Sequence, residues 1–401
     1  MNKQSLASSA GKIDEVLTRG VDKIYPSKGA LEKVLRSGKK LRLYQGFDPT
    51  GTQLHIGHAV AFRKHRQWQD LGHEVIFLIG DGTGQAGDPS GKTTAREKFL
   101  TQEELRANAK NYIKQAGKIV RFDGSNPVKV LYNGDWLNKL SLVDILNIAQ
   151  HFSAQELWER DIYQERLKKG QTVNLREFLY PLLQAYDSVA MEVDLEMGGS
   201  DQTFNMLMGR KLVKEMQGRE KFVMTTPLLA DSEGRKIGKT EGNVIGITDA
   251  PAELFTKIMG LSDSAIISCF TLITTLPIEE IETKEKRLKS GENPIVLKKE
   301  LAFQILSELN SPTEAEKAQA AFEQTFQERK PEYKLRIPLQ ATLAATIRPY
   351  TSGASISAAK RMIRQGGVDV NQKTVSNPSH KPSVGDKIKI GQQTFATVVK
   401  K

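Results

Sequence analysis

Leu41-Arg42-Leu43-Tyr44, a short strand-like run, is followed about ten residues later by His55-Ile56-Gly57-His58. Together they read as a strand, a loop and the first turn of a helix. Two histidines three residues apart share one face of that turn, where imidazoles and unsatisfied backbone N–H groups can meet a triphosphate. Gly57 removes side-chain bulk, so a flat base can approach the backbone. So short a pattern recurs by chance, and histidines near a helix start are often plain surface groups. Far downstream, Lys236-Ile237-Gly238-Lys239-Thr240 places two ammonium groups in a Gly-containing loop, which alone is usually just solvated. Order and context join the two segments into halves of one nucleotide-activating site.

Working outward, the first half alternates strand-like and helix-like segments, which predicts α/β architecture with a parallel sheet. His73-Glu74-Val75-Ile76-Phe77-Leu78-Ile79 lies between Gly72 and Gly80 and has the apolar character of a strand buried on both faces. Residues 128–133 and 222–229 are further strand candidates, and helices are expected over 57–71, 102–117, 142–152 and 200–217. Ligands of such sheets gather beyond the carboxyl ends of the strands. Tyr44 and the loops 80–92 and 198–202 sit there.

At 401 residues the chain suggests two or three domains. No apolar run approaches a membrane span and the polar stretch Met1 to Leu17 has no signal-peptide core, so a cytoplasmic location is expected. The single cysteine, Cys269, lies in an apolar stretch and reads as a buried small hydrophobe. Six histidines, with only 55 and 58 close together, suggest no structural metal site. Net charge is +11, and residues 351–401 hold nine Lys or Arg against two acids, a local +7. A polyanion docking at that end is the natural reading.

Four more segments carry chemistry: Tyr44-Gln45-Gly46-Phe47-Asp48-Pro49-Thr50, Gly87-Asp88-Pro89-Ser90-Gly91-Lys92, Tyr180-Pro181-Leu182-Leu183-Gln184-Ala185-Tyr186-Asp187 and Gly198-Gly199-Ser200-Asp201-Gln202. The 87–93 loop is not a Walker A loop, because Ala86 stands where that pattern needs glycine. Tyr180, Gln184 and Asp187 at i, i+4 and i+7 share a helical face among apolar neighbours, and buried polar groups need partners that a ligand can supply. Pro181 disfavours an α conformation at Tyr180, so the helix is expected to begin or kink there.

In this order, with the two phosphate-facing segments, the motifs resemble those of bacterial-type tyrosyl-tRNA synthetases, class I aminoacyl-tRNA synthetases, across nearly the whole chain. The resemblance implies a Rossmann-like catalytic domain over 1–245 with a dimerisation region inserted at about 125–195. A helical anticodon-binding domain at 246–330, a linker at 331–345 and an S4-like RNA-binding domain at 346–401 would follow. It implies L-tyrosine, ATP with Mg²⁺ and tRNA(Tyr) as substrates, and a homodimer. His55 and Thr50 would contact the phosphates, and Asp48, Gly57 and His58 would lie near the nucleotide. Lys236 and Lys239 would close over the β- and γ-phosphates, with Lys92 a further ATP contact. Ile237 and Gly238 depart from the usual Met and Ser of that loop but keep both charges.

By the same resemblance, Asp88, Tyr180 and Gln184 would hold the amino group of tyrosine, Gln202 its carboxyl group, and Asp187 with Tyr44 its phenolic hydroxyl. Asp201 would accept from the ribose. Lys360, Arg361 and Arg364 would face RNA from the short basic helix of the last domain. The tryptophan enzyme of the same fold is the nearest competitor, disfavoured by the phenol-suited pair Tyr44 and Asp187. An inactive RNA-binding relative is disfavoured by the intact His and Lys motifs, and a small-metabolite nucleotidyltransferase by the basic C-terminal module.

Overall fold

The structure, a computed structural model, describes residues 3–90, 99–231, 234, 237, 239–240, 243–327, 333, 335–351, 354–391 and 394–400. Lys92 and Lys236 lie outside these residues, and for Lys239 only the backbone is described. The chain forms two compact units, residues 1–249 with 261–311, and residues 250–260 with 312–401.

The first unit is built on strands β1 Lys23–Tyr25, β2 Arg42–Phe47, β3 Glu74–Ile79, β4 Lys129–Tyr132, β5 Leu195–Gly199 and β6 Phe222–Thr226. Their order is β1-β6-β5-β2-β3-β4, parallel except for β1 against β6. In β3 every residue after Glu74 is buried, as its unbroken apolar run requires. The chain runs from β2 outward through β3 to β4, then returns to β5 on the other side of β2. This reversal opens a crevice at the carboxyl ends of β2 and β5. A short antiparallel pair, β7 Lys239–Thr240 and β8 Asn243–Val244, completes the unit's strands among the described residues.

Helices occur close to the expected ranges, at Ile56–Asp70, Gln102–Ala116, Leu142–Ala149 and Thr203–Gln217, the last preceded by a 3₁₀ turn Ser200–Gln202. The Leu175–Ala190 helix starts before Tyr180 and continues through Pro181, so it does not begin at Tyr180. Proline cannot donate to the carbonyl of Glu177, four residues back. The Tyr163 hydroxyl donates to that carbonyl instead, at 2.8 Å, so the missing bond leaves no buried acceptor unpaired.

The helical region 246–330 is not one body. Residues 261–311 pack into the first unit because Arg19 donates to the carbonyls of Thr271 (2.9 Å), Leu276 (2.7 Å), Thr274 (2.7 Å) and Phe270 (3.3 Å). Arg63 adds a bond to the Ile273 carbonyl and an ion pair with Glu308.

In the second unit the Pro251–Met259 and Pro312–Phe322 helices meet through the Phe255 and Phe322 rings, 5.5 Å apart. Its sheet runs β11 Lys373–Thr374, β10 Val368–Val370, β12 Lys387–Ile390, β13 Thr394–Val399 and β9 Leu335–Pro338. Residues 331–345 are therefore not a plain linker. They contain edge strand β9, whose Ile337 is buried and whose final proline sits where an edge strand tolerates it. The Ile356–Arg364 helix, capped by Ser355, buries Ala359 and Ile363 and leaves Lys360, Arg361 and Arg364 exposed on the other side.

Candidate active site

A cavity of about 260 Å³ opens at the β2/β5 reversal. Nine of the residues singled out in the sequence line it: Tyr44, Asp48, Thr50, His58, Asp88, Tyr180, Gln184, Asp187 and Gln202. His55, Gly57 and Asp201 lie outside its wall.

At one end, Asp187 is fully buried on the Leu175–Ala190 helix. Its Oδ1 accepts from the Trp136 indole N–H at 2.8 Å and its Oδ2 from Asn133 Nδ2 at 3.0 Å. Burial pushes this carboxyl well above the usual carboxylate range, against the pull of those two donors. Asp81, itself buried, holds the turn bearing Asn133 and Trp136 by accepting from Gly134 N at 2.7 Å, Gln102 at 2.8 Å and Arg106 at 2.6 Å. Tyr44, on β2, reaches Ser188 Oγ with its hydroxyl at 2.9 Å. Burial, then the neighbouring Glu196 and Asp187 carboxylates, keep that phenol protonated, its pKa well above the ordinary value.

At the other end, the Tyr180 hydroxyl donates to Asp48 Oδ2 at 3.0 Å, and burial raises its pKa. Asp48 Oδ1 accepts from Thr83 at 2.8 Å, an approach possible because Gly80 has no Cβ, which would lie 1.9 Å from that oxygen. Gln184 donates through Nε2 to Glu196 at 3.0 Å, while its Oε1 is buried without a hydrogen-bond partner. Asp88 accepts from Ser90 N and Gln202 Nε2, both at 2.9 Å. Gln202, expected to meet a substrate carboxyl group, spends its amide on Asp88 and, through Oε1, on Asn205 at 2.9 Å.

The histidine motif caps a helix. His55 is the N-cap of Ile56–Asp70: its Nδ1 accepts from Gly57 N, and His58 Nδ1 accepts from His55 N, both at 3.2 Å. Ile56 N donates to Ile245 O at 2.9 Å, and His58 N to His55 O at 2.8 Å. The backbone N–H groups of 55–58 are thus already used, contrary to the expectation that they would meet a triphosphate. With Nδ1 the accepting atom in both rings, Nε2 is the nitrogen that carries a proton. Gly57 is needed because a Cβ there would lie 2.9 Å from the His55 ring and 3.5 Å from Ile237 O, where the lysine loop passes.

Sequence reasoning missed the residues that hold these groups. Asn108, Asn111 and Gln115 donate to Pro49 O and Thr52 O at 2.7–2.9 Å, and Gln115 Oε1 accepts from Leu54 N, strapping the 49–54 loop to the Gln102–Ala116 helix. Their i, i+3, i+7 spacing was a readable signal. Asn133, Trp136, Ser188, Glu196 and Lys221 left none, since their partners sit on other elements of the fold. Cys269 is buried, with its thiol pushed up to about 12 by burial. Among the described residues no helix alone is long and apolar enough to cross a bilayer.

Residues 36–327 match the family model of class I tRNA synthetases (W and Y), and residues 352–388 that of the S4 domain. Sheet, helix cap and cavity thus define a class I aminoacyl-tRNA synthetase of the tryptophan and tyrosine group. The tyrosine--tRNA ligase of Dehalococcoides mccartyi (strain ATCC BAA-2266 / KCTC 15142 / 195) is 38% identical over 97% of this chain and 98% of its own length. Tyrosine--tRNA ligase 2 of Pseudoalteromonas translucida is 41% identical over 88% and 90%. The chain belongs to the tyrosine--tRNA ligase family. Its fold is shared with a C-terminally truncated mitochondrial tyrosyl-tRNA synthetase of Aspergillus nidulans (TM-score 0.67, 22% identity, 81% of this chain and 100% of that one). It is also shared with the tyrosyl-tRNA synthetase of Archaeoglobus fulgidus solved with L-tyrosine (TM-score 0.60, 20% identity, 78% and 99%).

Proposed function

We propose that this chain activates L-tyrosine with ATP and transfers the tyrosyl group to tRNA(Tyr). The observation that carries the reading is the polarity of the cavity. One end offers a buried acid and a phenol, Asp187 and Tyr44, suited to a substrate hydroxyl. The other offers three acceptors for the three N–H groups of an ammonium: the Tyr180 oxygen, whose proton goes to Asp48, the unpaired Gln184 Oε1, and the Asp88 carboxylate. A zwitterion bearing a distal phenol satisfies both ends.

In the first step a tyrosine carboxylate oxygen attacks the α-phosphorus of ATP and pyrophosphate leaves. A ribose hydroxyl of the tRNA terminus then displaces AMP from the adenylate. Neither step needs a covalent enzyme intermediate; alignment and neutralisation of developing phosphate charge suffice. The Nε2 proton of His55, Thr50 and the ammonium groups of Lys236 and Lys239 serve the phosphates, with His58, Lys92 and Gly57 beside the nucleotide and Asp201 toward its ribose. Mg²⁺ brought with ATP would add charge neutralisation at the phosphates. Asp48, which bonds to Tyr180 and Thr83, links the amino-acid end to the nucleotide side. Gln202 acts through Asp88.

The exposed apolar side chains Leu142, Val143, Leu146, Leu175 and Leu179 support a homodimer formed through the 125–195 region. Lys360, Arg361 and Arg364 support tRNA backbone contact by the S4 region, while the helices within 246–330 take the anticodon side. The setting is the cytoplasm, where charged tRNA is used. Pyrophosphate exchange with each of the twenty amino acids tests the reading. Exchange with tyrosine, followed by charging of tRNA(Tyr), is expected; exchange with tryptophan instead overturns it.

A further inference from the structure

Behind the cavity lies a charged cluster that the activation chemistry does not use. Lys221 is fully buried just before β6, beside Glu196 on β5 and Ser188 on the Leu175–Ala190 helix, both buried. Its ammonium forms an ion pair with Glu196 Oε2 and donates to Ser188 Oγ at 2.8 Å. Room for it is made by Gly209 on the Thr203–Gln217 helix, where a Cβ would stand 2.6 Å from Lys221 Nζ and 3.0 Å from Ser188 Oγ. A buried ammonium accommodated by four elements is expensive in desolvation, which lowers its own pKa, and a well-packed apolar side chain would serve stability as well.

The cluster touches both ends of the pocket. Glu196 Oε1 accepts from Gln184 Nε2 at 3.0 Å, so the Gln184 amide is turned with its oxygen, the unpaired one, as the remaining acceptor. Ser188 Oγ lies 2.9 Å from the Tyr44 hydroxyl but 3.3 Å from Glu196 Oε2. The one Ser188 proton thus has two acceptors within reach. With Lys221 already bonded to Glu196 Oε2, the nearer Tyr44 oxygen is the favoured one, which directs the Tyr44 proton to the cavity. A substrate phenol then donates to Asp187 and accepts from Tyr44.

We propose that Lys221 is a positioning residue that sets hydrogen-bond direction at both ends of the amino-acid pocket, making Tyr44 a donor and Gln184 an acceptor. This rests on reading the cavity as the tyrosine pocket. The test is pyrophosphate exchange by the full chain, with thermal melting alongside. Lys221→Met is expected to raise KM for tyrosine about tenfold or more, the worth of a buried hydrogen bond with charge, and to narrow tyrosine-over-phenylalanine preference. KM for ATP should stay within about twofold, as no direction is reset on the phosphate side.

Adding Glu196→Gln to Lys221→Met supplies a neutral amide that accepts from Gln184 and donates toward Ser188, so the double variant is expected to recover most of the loss. A folded Lys221→Met variant with parental KM for tyrosine and parental selectivity overturns the proposal. Should that variant melt too low to assay, a folded double variant with parental tyrosine KM supports it, and one with KM still raised tenfold overturns it. Absence of tyrosine-dependent exchange in the parent enzyme instead overturns the pocket reading itself.

Discussion

Asp187→Asn is the smallest change that tests the phenol end of the cavity, since it exchanges one carboxyl oxygen for an NH2 group of nearly the same size and leaves the packing alone. Both protein partners of this carboxylate can only donate. The Trp136 indole N–H has no acceptor, and the Asn133 amide cannot turn over, because its Oδ1 already accepts from Gly82 N at 2.8 Å and Thr83 N at 3.3 Å. An amide at 187 has one acceptor atom for these two donors, so one N–H meets another N–H in a fully buried setting. A buried donor left unmet costs about 1–3 kcal/mol, and the substrate hydroxyl also loses a hydrogen bond to a charged acceptor, about 1.5–3 kcal/mol. Only the second loss falls on tyrosine rather than on the enzyme at large. At 1.4 kcal/mol per tenfold, it lowers kcat/KM for tyrosine by about 10- to 150-fold. Phenylalanine never made that bond, so its kcat/KM stays nearly constant and the preference narrows by the same factor. Pyrophosphate exchange at saturating ATP, run with both amino acids, reads this directly. An unchanged tyrosine-to-phenylalanine ratio, or a defect confined to KM for ATP, would refute the assignment of Asp187 to the substrate hydroxyl.

Replacing Lys360, Arg361 and Arg364 together by alanine should weaken tRNA binding and reduce the slope of log affinity against log salt by about 2–3, while adenylate formation is unaffected; an unchanged slope removes these side chains from the RNA interface. Leu142→Asp combined with Leu146→Asp should place two charges in the apolar patch and yield monomers by analytical ultracentrifugation, and a dimer of parental stability would contradict the proposed interface. His65 is buried neutral, its pKa lowered to about 4 by burial, so on acidification the unfolded chain takes up a proton first. Its contribution is complete above about pH 6.5 and is lost as pH falls toward 4, amounting to about 2 kcal/mol at pH 5. His65→Gln, which retains an N–H for the Ala61 carbonyl, should shrink the fall in urea-unfolding free energy between pH 7 and pH 5 by that amount, and an equal fall in both proteins excludes His65 as its source.

What could be read from the chain without its structure divides along a physical line. His55, Gly57 and His58 were legible because one short segment does everything: the ring that would meet a phosphate also caps the helix that carries it, and both roles depend on neighbours within three residues. Tyr180, Gln184 and Asp187 were legible for the same local reason, a polar face at helical spacing. Pro181 misled because the rule for a proline in a helix is also local, while the donor that rescues Glu177 O is Tyr163, outside the helix. Residues 331–345 misled likewise, since β9 becomes a strand only by pairing with β13, about sixty residues further on.

Lys221 is the extreme case. In sequence it is one of 58 basic residues, in a loop after a helix where a solvated lysine is ordinary. Its significance appears only when β5, β6 and two helices enclose it beside Glu196, because a charge removed from water must be matched by particular partners rather than by solvent. Groups that meet a substrate recur in recognisable spacings, whereas groups that orient them answer to whichever side chain the fold brings alongside. The direction of a hydrogen bond, donor or acceptor at Tyr44 and Gln184, therefore belongs to the tertiary structure even where the residues forming it are plain in the sequence.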